Sequence, residues 1–193
     1  MFFKFQKIVG VLVIPIGVGI FLFSDLITEI LLGDQWVEAS SFIGMWGLTS
    51  AVTIVLAHYA SEVYRSIGKP KLSVLAQWLH IIVLWPVILL FVNEGFNTLC
   101  IARSLVRREF VGVQLMLLGI VVKMNVLKMV VNIIPSVLAA LSLFVILLMP
   151  KADNVLIEIL YIFICVCIYF AVIMLFPEER HICLNLKALL KRR

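Results

Sequence analysis

The sequence predicts an all-α, polytopic membrane protein: a bundle of about six transmembrane helices with both termini in the cytoplasm. Three observations predict it. The 193 residues are 64% hydrophobic and 14% charged, with a mean hydropathy of +1.18, whereas soluble domains carry about a quarter charged residues. The apolar residues come in blocks of roughly twenty, and about twenty residues at about 1.5 Å rise cover a hydrocarbon core of about 30 Å. The basic residues fall almost entirely between alternate blocks, as the positive-inside rule requires.

The predicted spans are residues 9–32, 39–60, 72–92, 98–122, 129–149 and 155–176, followed by a basic amphipathic cytoplasmic tail over 177–193. Their connectors carry turn formers: "LGDQW", "SIGKPK", "VNEGFN" and "PKADN". The first block lacks a small-residue cleavage site after a short apolar core, so it reads as a span and not a signal peptide. With a cytoplasmic amino terminus, Lys4, Lys7, Arg65, Lys69, Lys71, Lys123, Lys128, Arg180, Lys187, Lys191, Arg192 and Arg193 all lie inside. Outside are Lys151 and the acidic Asp34, Glu38, Glu94, Asp153 and Glu158. The net charge of +5 is therefore a topology signal, and no nucleic-acid partner is implied.

Pro15, Pro86 and Pro135 fall one to each inside-to-outside helix. A proline removes a backbone donor, and in a membrane the freed carbonyl needs protein or water beside it. Three such helices fit a bundle that bends around something, though proline is common in membrane helices generally. In the tail, Ile182, Leu186, Leu189 and Leu190 share a helical face with Lys187, Arg192 and Arg193 off it, which predicts a helix lying on an anionic leaflet. Cys100, Cys165, Cys167 and Cys183 have no metal or redox spacing and read as small apolar residues. Trp36, Trp46, Trp78 and Trp85 read mostly as markers of helix ends.

The fourth block contains "IARSLVRREF", with Arg103, Arg107, Arg108 and Glu109. Arg103 and Arg107 are one turn apart, and Phe110 and Gln114 continue their stripe within about 40°. Arg108 and Glu109 point elsewhere, as a charged pair beside it. An arginine left in lipid costs at least about 2.5–3.5 kcal/mol, so the stripe must face a cavity or a partner. Because a guanidinium matches phosphate oxygens, one reading is a cationic lining formed by Arg103, Arg107 and Gln114 for a phosphate-bearing ligand. The other pairs Arg103 with Asp25 or Glu29 while Arg107 and Arg108 snorkel.

Further polar residues could line or couple such a cavity. His58, Glu62 and Arg65 share a face of the second helix, and Gln77 and His80 one of the third. Titratable groups of this kind serve proton-coupled carriers, although Glu62 and Arg65 also read as a plain i,i+3 pair. Asp25 and Glu29 read equally as the first turn of a helix restart capped by Ser24. No nucleophile–base set, phosphate-cradling glycine loop or metal-ligand spacing occurs in the sequence, and the reading is of a non-enzyme without cofactor or metal.

"IPIGVGIFLFSDLITEILLGDQWVEASSFIGMWGLTSA" and "SEVYRSIGKPKLSVLAQ" resemble bacterial oligosaccharide flippases of the multidrug/oligosaccharidyl-lipid/polysaccharide exporter superfamily. The shared pattern is Pro15 and Gly17, then Leu31, Leu32, Gly33, Trp36 and Ala39, then Arg65, Gly68, Lys69, Pro70 and Lys71. It extends from Ile14 to Ala102; beyond Arg108 the likeness is in hydropathy alone. The resemblance implies transfer of undecaprenyl-pyrophosphate-linked oligosaccharides across the bacterial inner membrane, through a cationic cavity between two rocking lobes. That family has twelve to fourteen helices, so six would correspond to its carboxy-terminal part. The expectation is a partial flippase for surface polysaccharide or lipopolysaccharide biosynthesis, needing a missing amino-terminal lobe or a second copy. The alternative is a structural or assembly subunit of a glycan-synthesis complex. The two separate on whether Arg103 and Arg107 are locked in salt bridges.

Overall fold

The computed structural model describes residues 2–150 and 154–190, with side-chain surroundings up to residue 183. Among these residues every regular element is helical: α1 (Phe2–Leu22), α2 (Ser24–Leu32), α3 (Ser40–Thr53), α4 (Tyr59–Ser66), α5 (Lys71–Phe91), α6 (Phe96–Ile120), α7 (Val126–Val131), α8 (Ile134–Leu141), α9 (Val155–Ile173) and α10 (Pro177–Leu190). A 3-10 turn (Asp34–Ala39) leads into α3, a π turn (Ile54–His58) joins α3 to α4, and a second 3-10 stretch (Ser142–Leu148) extends α8. Among the described residues, five stretches are long and apolar enough to cross a membrane: Phe2–Leu22, Asp34–Ser66, Lys71–Phe91, Val126–Leu148 and Val155–Ile173. The remaining long helix, α6, has 25 residues and contains the four charges of "RSLVRRE".

The turns follow from the sequence. Gly33, Gly68 and Gly95 adopt φ of 85°, 72° and 92°, a left-handed region that glycine enters without steric cost. Each sits in one of the predicted connectors. Asn125 and Asn154 cap α7 and α9 by accepting from the backbone N–H of Lys128 (2.9 Å) and Leu156 (3.1 Å).

Successive long segments run in opposite directions, so α3–α4 and α6 run parallel. Three contacts register them along their length: Ser41 with Asn97, Ser50 with Arg107, and Tyr64 with Gln114. α1 packs most closely on α3, through small residues. A Cβ on Gly17 would stand 2.3 Å from the Ala51 Cβ, and one on Gly47 2.5 Å from Ile20 Cγ2. In lipid, where hydrophobic association is weak, such backbone approach is a main source of helix–helix attraction.

Proline leaves visible marks. Pro15 cannot donate to the Val11 carbonyl one turn earlier; the Tyr169 hydroxyl from α9 donates to it instead, at 2.7 Å. Pro135 does not kink the middle of a helix as expected. It stands at the start of α8, after a break at Asn132–Ile133. The amide of Ile133 turns to Val130, at 3.2 Å, which releases the Met129 carbonyl. Gln6, only 1% exposed, donates through Nε2 to both the Met129 and the Val55 carbonyls at 3.3 Å. Val55 belongs to the π turn. Asn132 Nδ2 completes the knot by donating to the Phe3 carbonyl at 2.8 Å and Gln6 Oε1 at 3.3 Å. A single amide thus satisfies carbonyls near two breaks in the helical ladder.

Two further expectations need correction. The helix does restart at Ser24, but the preceding Phe23 occupies the cap position and no side chain caps it. The tail is also more than a surface strip. Lys7 on α1 pairs with Glu178 and, at 3.2 Å, with Glu179 of α10, and Ile182 is buried. The side chains of Leu186, Lys187, Leu189 and Leu190, and residues Lys151, Asp153, Lys191, Arg192 and Arg193, lie outside the described residues.

Candidate functional site

α6 is held between α5 and α3, with its arginine stripe turned toward α3. There the Trp46 indole receives both guanidiniums. The Arg107 guanidinium carbon lies 3.6 Å from the ring centroid and that of Arg103 5.2 Å. Arg107 also donates to the Ser50 hydroxyl. Phe42 braces the indole from the preceding turn of α3, ring to ring at 5.4 Å. Trp46 and Ser50 are four residues apart, as are Arg103 and Arg107, so two matched one-turn stripes meet across the helix pair.

The electrostatics are unbalanced. Among the described residues neither Arg103 nor Arg107 lies within ion-pair distance of a carboxylate. Arg103 Nη1 is buried and has no hydrogen-bond partner. Cation–π contact contributes about 0.5–2 kcal/mol, and the two like charges repel each other across one ring. Arg107 continues into a cleft of about 200 Å³ between α3 and α6, lined also by Arg108, Leu48, Thr49, Val52, Thr53 and Val111. The arrangement offers forked donors to an anion entering that cleft.

The other sequence-predicted residues sort differently. Gln114 lies on the arginine stripe but leaves the site. Two turns further on, α4 closes over α6, and Gln114, 1% exposed, accepts from the Tyr64 hydroxyl at 2.9 Å. Asp25 and Glu29 are exposed on α2, and the salt bridge expected between Arg103 and one of them is not formed. Glu62 and Arg65 pair with each other at 3.2 Å, both exposed. His58 is exposed on the π turn, within electrostatic reach of Arg107. Gln77 is exposed on α5 beside Ser73 and Trp78.

Glu109 does not pair with Arg108. It turns to the other flank of α6 and meets His80 of α5, Oε2 to Nδ1, at 3.1 Å. The Phe110 ring lies 5.1 Å from the imidazole, and His80 is 9% exposed. Arg108 stays exposed at the cleft mouth. Trp46 was expected to mark a helix end; it stands inside α3 and organises the site. The i,i+4 match of Trp46–Ser50 with Arg103–Arg107 is the signal that could have found it.

Residues 1–41 match the family model described as polysaccharide biosynthesis protein. Over that segment the chain is similar to polysaccharide biosynthesis proteins. The matched stretch is 41 of 193 residues; it covers α1, α2 and the turn with Gly33 and Trp36, and stops short of Trp46 and the arginines. No curated protein and no solved structure matches the chain.

Proposed function

We propose that this membrane protein is a carrier component that binds a lipid-linked oligosaccharide through its pyrophosphate, as part of a flippase for surface polysaccharide. The observation that carries this reading is the Arg103–Arg107 pair on Trp46, two cations in a long, largely apolar helix with no carboxylate within ion-pair distance among the described residues. The polysaccharide-biosynthesis match over residues 1–41 and the flippase-like motifs support the class of substrate. The reading assigns transport and no catalysis, sets the protein in the bacterial inner membrane, and has both termini cytoplasmic, in line with the Lys7–Glu179 contact that brings the two ends together. Alternating access then requires a second lobe, either a partner or another copy of this chain.

The test is binding of an undecaprenyl pyrophosphate to the purified, detergent-solubilised protein, followed by tryptophan fluorescence or native mass spectrometry. A charge-assisted hydrogen bond contributes about 1.5–3 kcal/mol, so Arg103→Ala and Arg107→Ala should each weaken binding about ten- to hundredfold. Unchanged affinity in both variants, with the fold intact, would return the arginines to a structural role.

A further inference from the structure

A groove of about 410 Å³ runs between α1 and α9 and shares no residue with the arginine cleft. Pro15, Gly19, Leu143, Cys165 and Tyr169 are among its lining residues, and Ile16, Val166 and Phe170 leave it an exposed rim. Toward the start of α9 it meets a second cleft, of about 320 Å³, with which it shares Leu22 and Phe23. That second cleft is lined by Asp25 of α2 and Glu158 of α9. We propose that the two clefts together bind a phospholipid with a primary ammonium head, phosphatidylethanolamine. An acyl chain fills the apolar groove, and the ammonium sits at the acidic mouth. The inference goes beyond the transport reading and needs neither arginine.

The groove has the length of a lipid chain. Glu158, Tyr161, Ile162, Cys165, Tyr169 and Phe170 recur at three- and four-residue steps, so they form one stripe of α9. From first to last it covers about 18 Å, close to half of a hydrocarbon core of about 30 Å, the depth of one leaflet. It also has room. A Cβ on Gly19 would meet nothing within 4 Å, so the glycine leaves width that a side chain would take up. Its tyrosines are held and their hydroxyls are spent. Tyr169 donates to the Val11 carbonyl at 2.7 Å and Tyr161 to the Pro150 carbonyl at 3.3 Å.

Charge selects the head group. Neither Asp25 nor Glu158 has an ion-pair partner among the described residues. An ammonium at the mouth donates charge-assisted hydrogen bonds to carboxylates and offsets the lipid's own phosphate. Phosphatidylglycerol has no cation to offer and brings its phosphate against like charge. A polyprenyl pyrophosphate brings more negative charge still. With both termini cytoplasmic, as proposed above, the mouth opens toward the outer leaflet.

The experiment is native mass spectrometry of the full-length, detergent-solubilised protein with phosphatidylethanolamine or phosphatidylglycerol of identical chains. Gly19→Leu, which fills the groove, defines the background of non-specific adducts. Above that background, phosphatidylethanolamine should bind roughly tenfold tighter, the size of one charge-assisted hydrogen bond. Asp25→Asn with Glu158→Gln should erase the preference while both lipids still bind. Equal binding of the two lipids to the unaltered protein overturns the inference, as does a preference that survives the double substitution. Adducts undiminished in Gly19→Leu would place the lipid elsewhere and overturn it too. Displacement of phosphatidylethanolamine by an equal concentration of undecaprenyl phosphate would give the groove to a polyprenyl chain, and that also overturns it. Thermal unfolding of each variant separates loss of the site from loss of the fold.

Discussion

Trp46 shows what a single side chain contributes to this site. Its ring gives two repelling guanidiniums a common face and fixes the direction of their forks. Trp46→Leu should therefore weaken anion binding by about two- to thirtyfold, the range of the cation–π contribution, whereas Trp46→Phe should recover much of it. A titration of both variants with pyrophosphate checks this, and equal affinity in Trp46→Leu would show that Ser50 and the helix backbone orient the arginines unaided. At this scale the sequence was legible where periodicity alone decides. The one-turn spacing of Arg103 and Arg107 brought them to one face. It also included Gln114, because spacing along α6 cannot say where α4 closes over the stripe and Tyr64 takes the amide. The His80–Glu109 contact was hidden for the same reason: it joins two helices whose relative rotation depends on packing.

Elements were more legible than residues, since hydropathy and glycine carry them. Three of the four connectors hold a glycine at positive φ, Gly33, Gly68 and Gly95, and the apolar blocks became helices. Breaks inside the blocks were less visible. Nothing local in "TIVLAHY" announces a π turn, and its freed carbonyl is matched by Gln6 from a helix 49 residues earlier. The closest helix pair yields a sharper test. Gly17→Ala places a methyl 2.3 Å from the Ala51 Cβ, and overpacking of this kind costs about 1–3 kcal/mol. The thermal midpoint in detergent should drop, and Ala51→Gly in the same chain should restore part of it. The restoration is partial because the new methyl also lies 3.1 Å from the Gly47 carbonyl. Gly19→Ala, with nothing within 4 Å, is the control and should cost nothing. A drop equal to that of Gly17→Ala would point to helix conformation and not to packing.

At the scale of the whole molecule, the two ends of the described chain are tied by charge. α10 closes on α1 through Lys7, which meets Glu178 on the surface and Glu179 in a nearly buried position, 2% exposed. The hydrogen bond and charge of Lys7, with a smaller contribution from Lys128, hold the Glu178 carboxyl below its ordinary value of 4.5. A carboxyl depressed on docking contributes stability that is present above the ordinary value and is lost as pH falls through the docked one. Glu178 is 79% exposed, so solvent screens its share and the pH-dependent part is small. Removing Lys7 takes away the ion-pair partner that the nearly buried Glu179 side chain meets at 3.2 Å, and breaking a buried pair on one side costs about 3 kcal/mol or more. Hydrogen exchange of the α10 amides, corrected for intrinsic rates, reads both effects. Protection should hold steady from neutral pH down to about 4.5 and decline below it. Lys7→Ala should lose protection at neutral pH, and Lys7→Arg should keep it. Protection that ignores both pH and Lys7→Ala would mean that Ile182 and its apolar neighbours hold the tail alone, and that the charges merely decorate a hydrophobic dock.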